Sequence, residues 1–477
     1  MTASGASRCP ELESIGLKNI YYPGSDDYKS RINSYFSISA QIMPTCIIQP
    51  TSAEEVASIV TKVVQTTTFD FAVRSGGHTI WRGAANIEAG VTIDLGLMNK
   101  TTYVPETKIA QIQAGSRWHE VYESLEPHGV TVAGGRAPTV GVGGFLIGGG
   151  NSFYTGRRGW GCDNVVNFEV VLANGQIVNA NATENTDLFK ALKGGSTNFG
   201  IVTRFDMDAF DAQDMWGGVI VYPPSTMRQH IEAYVEWTDN IENYQDGSAI
   251  LLCSHYPKVG VSIAAAFEDT TGAVAAPAFD KFMAIPNQIK STMRKDTHRN
   301  LLKELDLVSG YWNNGYSIIF KNDVRILTKA LELWMQFVED WKAQSPDGDF
   351  ICLGIVQAVP TIFSQHSVEK GGNVLGLERE TDNGVMFQAY LMVRGEEQNA
   401  LGHKRTVALR EAQKQYSVDL GGSMDWVYLN YADPTQDPLK SYGEENVAYI
   451  RKVASKYDPT GVFQTRMPGG FKISKVA

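Results

Sequence analysis

Apolar and polar positions change rhythm near the middle of this chain of 477 residues. From Cys46 to about Asp208, short β-rich runs alternate with glycine-rich turns and a few helical stretches. "TSAEEVASIVTKVVQ" (51–65) opens on a capping residue, then acidic residues, then apolar residues at helical spacing, which predicts a helix. "FDFAVRS" and "GVTIDLG" read as strands around a glycine turn. "NVVNFEVVLANGQIVNA" (164–180) reads as a hairpin closed by Asn-Gly. From about Met215 longer helical patterns, "MRQHIEAYVEWTDNI" and "VRILTKALELWMQFVEDWKAQ", alternate with β-type runs, "GVSIAAAFE" and "GVMFQAYLMV". This predicts an α+β unit with an antiparallel sheet and helices on one face. The closing stretch, "VYLNYADPTQDPLKSYGEENVAYIRKVASKYDP", reads as a strand, a loop and a helix returning to the first unit. The expected division is 1–212, 213–423 and 424–477.

Composition narrows the class. The formal charge is −10, with no basic run, so nucleic acid is not an expected partner. No apolar stretch approaches the ~18 residues of a membrane span, so no membrane partner is expected and the protein should be soluble. "MTASGASRCPELESIG" has neither the basic nor the apolar region of a signal peptide. Two compartments stay open: extracellular if a signal has been removed, otherwise cytoplasmic. Five cysteines without a C-x-x-C pair leave at least one free thiol and at most two disulfides. Asn99-Lys-Thr101 and Asn181-Ala-Thr183 fit the glycosylation pattern, which occurs often by chance.

Three glycine clusters carry the candidate chemistry: "RSGGH" (74–78), "GGRAPTVGVGGFLIGGGN" (134–151) and "GGSTNFGIVT" (194–203). Glycine lets a backbone approach a ligand and aim successive N–H groups at a pyrophosphate. A single pair is more often a tight turn; three clusters in one unit favour a dinucleotide. The usual phosphate loop and the G-x-G-x-x-G fingerprint are both missing, as is any compact metal-binding cluster.

Taken together, "VRSGGHT", "IEAGVTIDL", "GSRWHEVYESL", "APTVGVGGFLIGGG", "GCDNVVNFEVVLANGQIV" and "DLFKALKGGSTNFGIVT" resemble the FAD domain of the vanillyl-alcohol-oxidase superfamily. Within it the chain is most similar to the berberine-bridge-enzyme-like oxidases, above all the fungal ones. The resemblance covers roughly residues 40–210 and 424–472, the latter through "YLNYADPTQDPLKSYGEENV…KYDPTGVFQ". It implies a two-part FAD-binding domain beside an α+β substrate domain.

The resemblance also implies roles. His78 stands where the family bonds a histidine covalently to the flavin methyl group, a tether that prevents dissociation and raises the reduction potential. Arg74, Ser75, Gly76, Gly77 and Thr79 would line the pyrophosphate. Gly135, Pro138, Thr139, Gly141, Val142 and Gly144 would border the flavin, as would Gly200, Ile201, Val202 and Asn430. Many relatives have a second tether, a cysteine, where this chain has Ala137; a single attachment follows, with a more open pocket on that side. Cys162 lies elsewhere in the motif and reads as a buried thiol. Val140 holds the oxygen-gating position, where valine accompanies oxidases. Phe145 replaces a histidine of several plant members, so the reduced flavin must be stabilised from elsewhere.

Removing a hydride from a carbon bearing O–H or N–H requires a base for the heteroatom proton. The second tyrosine of Y-x-N-Y, here Tyr431, often serves in the family; a phenol ionising near pH 10 needs activation by its setting. Read as a strand, Tyr428 and Tyr431 would lie on opposite faces. Other relatives use an acid after Gly-Gly-x-Met, and in the nearest counterpart, "GGNVLGLE" (371–378), that place falls on Gly376. Trp312, Trp334 and Trp341 read as core or as a sugar or aromatic platform. The expected function is an FAD-dependent oxidase of a small organic substrate with O₂ as acceptor. A flavin-dependent cyclase or dehydrogenase not using O₂ directly is the alternative, and a non-catalytic ligand binder the third. Oligomeric state is open. Because Ala137 offers no second attachment, a proteolytic digest should carry flavin on a single peptide, the one containing His78. Flavin on a Cys162 peptide would overturn this.

Overall fold

Strands Phe71–Arg74 and Val91–Asp94, flanking the first glycine turn, lie parallel to each other in the computed structural model, which describes residues 9–66, 69–345 and 348–477. Residues 1–8, half of the segment read for a signal peptide, lie outside these. Cys46–Ile48 joins the far side of Val91–Asp94 in parallel, and Ile20–Tyr21 closes the sheet antiparallel. Helix Ala53–Thr66 connects two of the parallel strands. At its start Ser52 Oγ accepts from Glu55 N–H at 3.3 Å, while the Glu55 carboxylate accepts from Thr51 N–H at 2.6 Å.

A second sheet is antiparallel, in the order Thr101–Val104, Ile109–Gln113, Ile201–Asp208, Val165–Val171, Ile177–Asn181. The last two are the Asn-Gly hairpin, with Gly175 at φ +82°. The third sheet has nine strands, all pairs antiparallel, drawn from residues 215–424. Helices Met227–Asn240, Val324–Lys342 and Glu396–Asp419 cover one face. Tyr234 donates to the Ala249 carbonyl at 3.0 Å, Tyr316 to Gln413 at 2.7 Å, and Gln413 to the Ala330 carbonyl at 2.9 Å. Trp334 and Trp341 are buried in that layer.

The closing segment departs from expectation. Residues 427–431 form no strand; Leu429–Tyr431 is a turn of 3₁₀ helix. Its polar groups bind another loop instead: Gly150 N–H donates to the Tyr428 hydroxyl at 2.9 Å, and Asn430 Nδ2 to the Phe145 carbonyl at 3.1 Å. Helix Glu444–Tyr457 packs on helix Thr186–Leu192, where Tyr449 donates to the Asp187 carbonyl at 3.1 Å. Cys9 and Cys46 form a disulfide; Cys162, Cys253 and Cys352 are buried thiols. Among the described residues no helix is long and apolar enough to cross a membrane.

One charge cluster pins the strand that leads into the glycine turn. Arg74 and Asp94, on adjacent strands, are both fully buried and 3.4 Å apart. Arg31 grips the same carboxylate with two bonds of 2.8 and 2.9 Å. Arg74 further donates to the carbonyls of Arg31 and Ser34, and lies 3.8 Å above the Tyr35 ring. Asp94→Asn preserves shape but strips the buried arginine of its counter-charge. The expected loss of stability is about 3–5 kcal/mol, read as a fall in the urea midpoint; an unchanged midpoint would refute it.

Candidate functional site

The loop after Arg74 is shaped by what lies beneath it. The Arg74 side chain turns back under the loop, so Gly77, at φ +70°, has no room for a β-carbon, which would sit 2.6 Å from Nε. Ser75 Oγ donates to the Ala114 carbonyl at 2.6 Å and accepts from Gly143 N–H at 3.2 Å. Carbonyls turn outward: Gly76 accepts from Arg117 at 2.9 Å, Gly77 from Phe36 N–H at 3.0 Å. Among the described residues the N–H groups of Gly76, Gly77, His78 and Thr79 donate to no protein acceptor. Buried N–H groups seldom stay unpaired, and successive ones make an anion cradle.

These four residues border a cavity of about 490 Å³. The loop presses on the second glycine cluster without side chains between them: a β-carbon on Gly76 would lie 2.5 Å from Gly141 N. Gly135, Ala137, Val140, Gly141, Gly144 and Phe145 extend this wall, and Gly200, Ile201 and Val202 continue it. The opposite wall is the face of the nine-stranded sheet turned away from its three long helices, where alternate residues point inward. Tyr431 and Asn430 border the cavity as well.

His78 stacks on Phe36 with ring centroids 4.1 Å apart. Its Nε2 is buried without a hydrogen-bond partner. Burial, reinforced by the charge of Arg117, pushes its pKa down to about 4, so the ring is neutral at physiological pH. Tyr431 is half-buried and its ring meets that of Tyr428 edge-on at 4.8 Å. The two tyrosines are therefore neighbours, not opposed across a strand. Tyr428 is fully buried; its hydroxyl also accepts from Asn430 at 3.1 Å, and burial raises its pKa.

Four sequence-derived positions do not border the cavity. Arg74 is held in the ion cluster below. Thr139 donates to Asp306 at 2.8 Å, Pro138 gives its carbonyl to His119 at 2.8 Å, and Val142 is a core residue whose N–H binds the Ser116 carbonyl. The 371–378 loop also lies apart, with Gly376 packed on the Tyr442 carbonyl. Trp312 does not reach the cavity either, and Cys162 is buried away from it.

The sheet wall supplies residues that motif reading missed. Gln357 accepts from Arg136 and, at 3.3 Å, from Asn151. Tyr390 donates to Gln388 at 3.3 Å, and burial raises the Tyr390 pKa, with Tyr431 adding to the effect. "VQAV" and "GVMFQAYLMV" each place a glutamine inside an apolar β run, which was the available signal.

The lining suits a long, partly anionic ligand lying along unpaired amides. Residues 44–181 match the family model described as an FAD binding domain. The FAD-dependent monooxygenase sdcF of Emericella nidulans is 40% identical over 471 residues, covering 98% of either chain. Two solved structures share the fold. Xylooligosaccharide oxidase from Myceliophthora thermophila has a TM-score of 0.77 at 21% identity, covering 97% of this chain and 98% of its own. Glucooligosaccharide oxidase from Acremonium strictum has a TM-score of 0.74 at 20% identity, covering 95% and 97%. This chain is thus an FAD-dependent oxidoreductase that belongs to one family with the fungal FAD-dependent monooxygenase sdcF, and its fold is the one seen in berberine bridge enzyme, at a TM-score of 0.75 and 16% identity.

Proposed function

We propose that the enzyme is an oxidase that takes a hydride from a carbon bearing O–H or N–H in a small organic substrate and passes the electrons to O₂, forming H₂O₂. The observation that carries this reading is Tyr431, half-buried on the cavity wall and bonded to no protein group through its hydroxyl among the described residues. Bound FAD supplies the hydride acceptor. Tyr431, as its phenolate, takes the heteroatom proton and becomes the neutral phenol as the carbon is oxidised. Tyr428 is a different kind of tyrosine, spent on Gly150 and Asn430, and it fixes the turn that presents Tyr431.

His78 is the proposed single attachment point. A neutral imidazole with an unpartnered nitrogen is a competent nucleophile, whereas Ala137 offers no reactive atom. The glucooligosaccharide oxidase of Acremonium strictum carries a cysteinyl, histidyl FAD, and two such links need two such residues. The unpaired amides of residues 76–79 would hold the pyrophosphate, with Gly135, Gly141, Gly144, Asn430 and residues 200–202 around the rest. Val140, half-buried on the cavity wall, leaves the space through which O₂ would approach. The fungal relative sdcF is an FAD-dependent monooxygenase, which favours one second reading, oxygen insertion into the substrate. Anaerobic reduction by candidate substrates, then admission of air, tests both: an oxidase releases one H₂O₂ per turnover, a monooxygenase far less.

Tyr431→Phe should slow anaerobic reduction by roughly 10²–10⁴-fold while reoxidation in air stays near normal. Tyr428→Phe removes the two hydroxyl bonds that hold the turn, so it should slow reduction, but well short of the loss in Tyr431→Phe. Equal impairment of both variants, or wild-type reduction in Tyr431→Phe, would remove the base assignment. Val140→Leu should do the reverse, slowing reoxidation while sparing reduction. Its extra methylene could also cost ~1–3 kcal/mol of stability, so thermal unfolding is compared first. Normal reoxidation in the folded variant would refute the gate.

A further inference from the structure

The sheet wall of the cavity is hydrocarbon over most of its area, with Val219, Ile250, Leu252, Leu353 and Ile355 pointing inward. One cation is set against it. Arg136 borders the cavity and is only 9% exposed. Its Nη2 donates to Gln357 Oε1, an oxygen that already accepts from Asn151 at 3.3 Å. Among the described residues no carboxylate lies within ion-pair distance of its guanidinium. The other deeply buried arginine, Arg74, is treated differently: a fully buried Asp94 stands 3.4 Å away.

An amide oxygen orients a guanidinium without neutralising it. Burying such a charge unpaired is costly, so its persistence calls for an anion from outside the chain. The acid that senses Arg136, Glu268, does not meet that need. It is 2% exposed, and its Oε2 has no partner. Burial raises its pKa to about 8 despite the opposing pull of Arg136, so near neutral pH it is mostly the uncharged acid. Glu304 borders the cavity too, but its carboxylate is engaged by Arg294 and Thr292.

We propose that Arg136 anchors the carboxylate of an organic acid whose apolar body lies on the sheet wall. This rests on reading the cavity as the substrate site. A planar fork that Gln357 holds by one arm can still donate from its remaining N–H groups, and carboxylate matches that geometry. The substrate class is therefore an apolar, aryl-sized carboxylic acid, a narrower choice than an alcohol or a sugar.

Calorimetry on the FAD-loaded enzyme tests this with two probes of equal shape, 2-naphthoate and 2-naphthamide. The wild type should bind the naphthoate at least about tenfold more tightly, as a charge-assisted bond provides. Arg136→Gln should erase the preference, and Arg136→Lys should keep part of it. Equal affinity of the wild type for the two probes, or no binding of naphthoate at millimolar concentration, overturns the proposal. So does an Arg136→Gln variant that keeps the preference but shifts the flavin midpoint potential, since the arginine would then serve the cofactor. Should Arg136→Gln fail to fold, the wild-type comparison still decides. Failure of the oxidase reading would appear in oxygen uptake and leave these binding constants as they are.

Discussion

Everything at the active end of the molecule depends on two backbones touching. Gly76 and Gly141 meet so closely that a β-carbon on Gly141 would stand 2.3 Å from Gly76 N. This contact sets the loop bearing His78 against the segment bearing Ala137 and Val140. Glycine is required by reciprocal closeness here, more than by backbone angle. Because carbonyls of the first loop face Arg117 and Phe36, its amides are left for the cavity. A single steric condition thus gives both the shape of the wall and its hydrogen-bonding sense.

Much of this was legible along the chain, and for identifiable reasons. The strands around "RSGGH", the Asn-Gly hairpin and the long amphipathic helices are local patterns, and they formed where read. What failed was decided by distant partners. Residues 427–431 have strand-like aromatics, yet the Tyr428 hydroxyl and the Asn430 amide bind the backbone of 145–150, and a turn replaces the strand. Arg74 sits in a glycine motif that invites a phosphate role. The partner that claims it, Asp94, belongs to the next strand of the sheet. Gln357 and Gln388 stand out as polar positions in apolar runs, but the runs alone do not tell which face of the sheet borders a cavity. Only the pairing of strands, which turns alternate residues to the face away from the three long helices, made the difference.

The chain handles buried charge in two ways. Below the glycine turn, Arg31, Arg74 and Asp94 form a closed set, and their work is structural. On the cavity wall, Arg136 has an amide oxygen for company and no carboxylate among the described residues. Closed sets stabilise a fold; open ones leave interaction energy for a ligand.

The disulfide between Cys9 and Cys46 has a bearing on that end of the molecule as well. It closes a ring of 37 residues in sequence separation, and Arg31, Ser34, Tyr35 and Phe36 all lie inside that ring. Cross-linking removes chain entropy from the unfolded state, on the order of 3–4 kcal/mol for a ring of this size. The shelf on which His78 stacks, and the cup that holds Arg74, are thus drawn from a tethered segment whose search space is already small. Ordering that shelf costs the folding chain less, and the histidine rests on ground prepared before any ligand arrives.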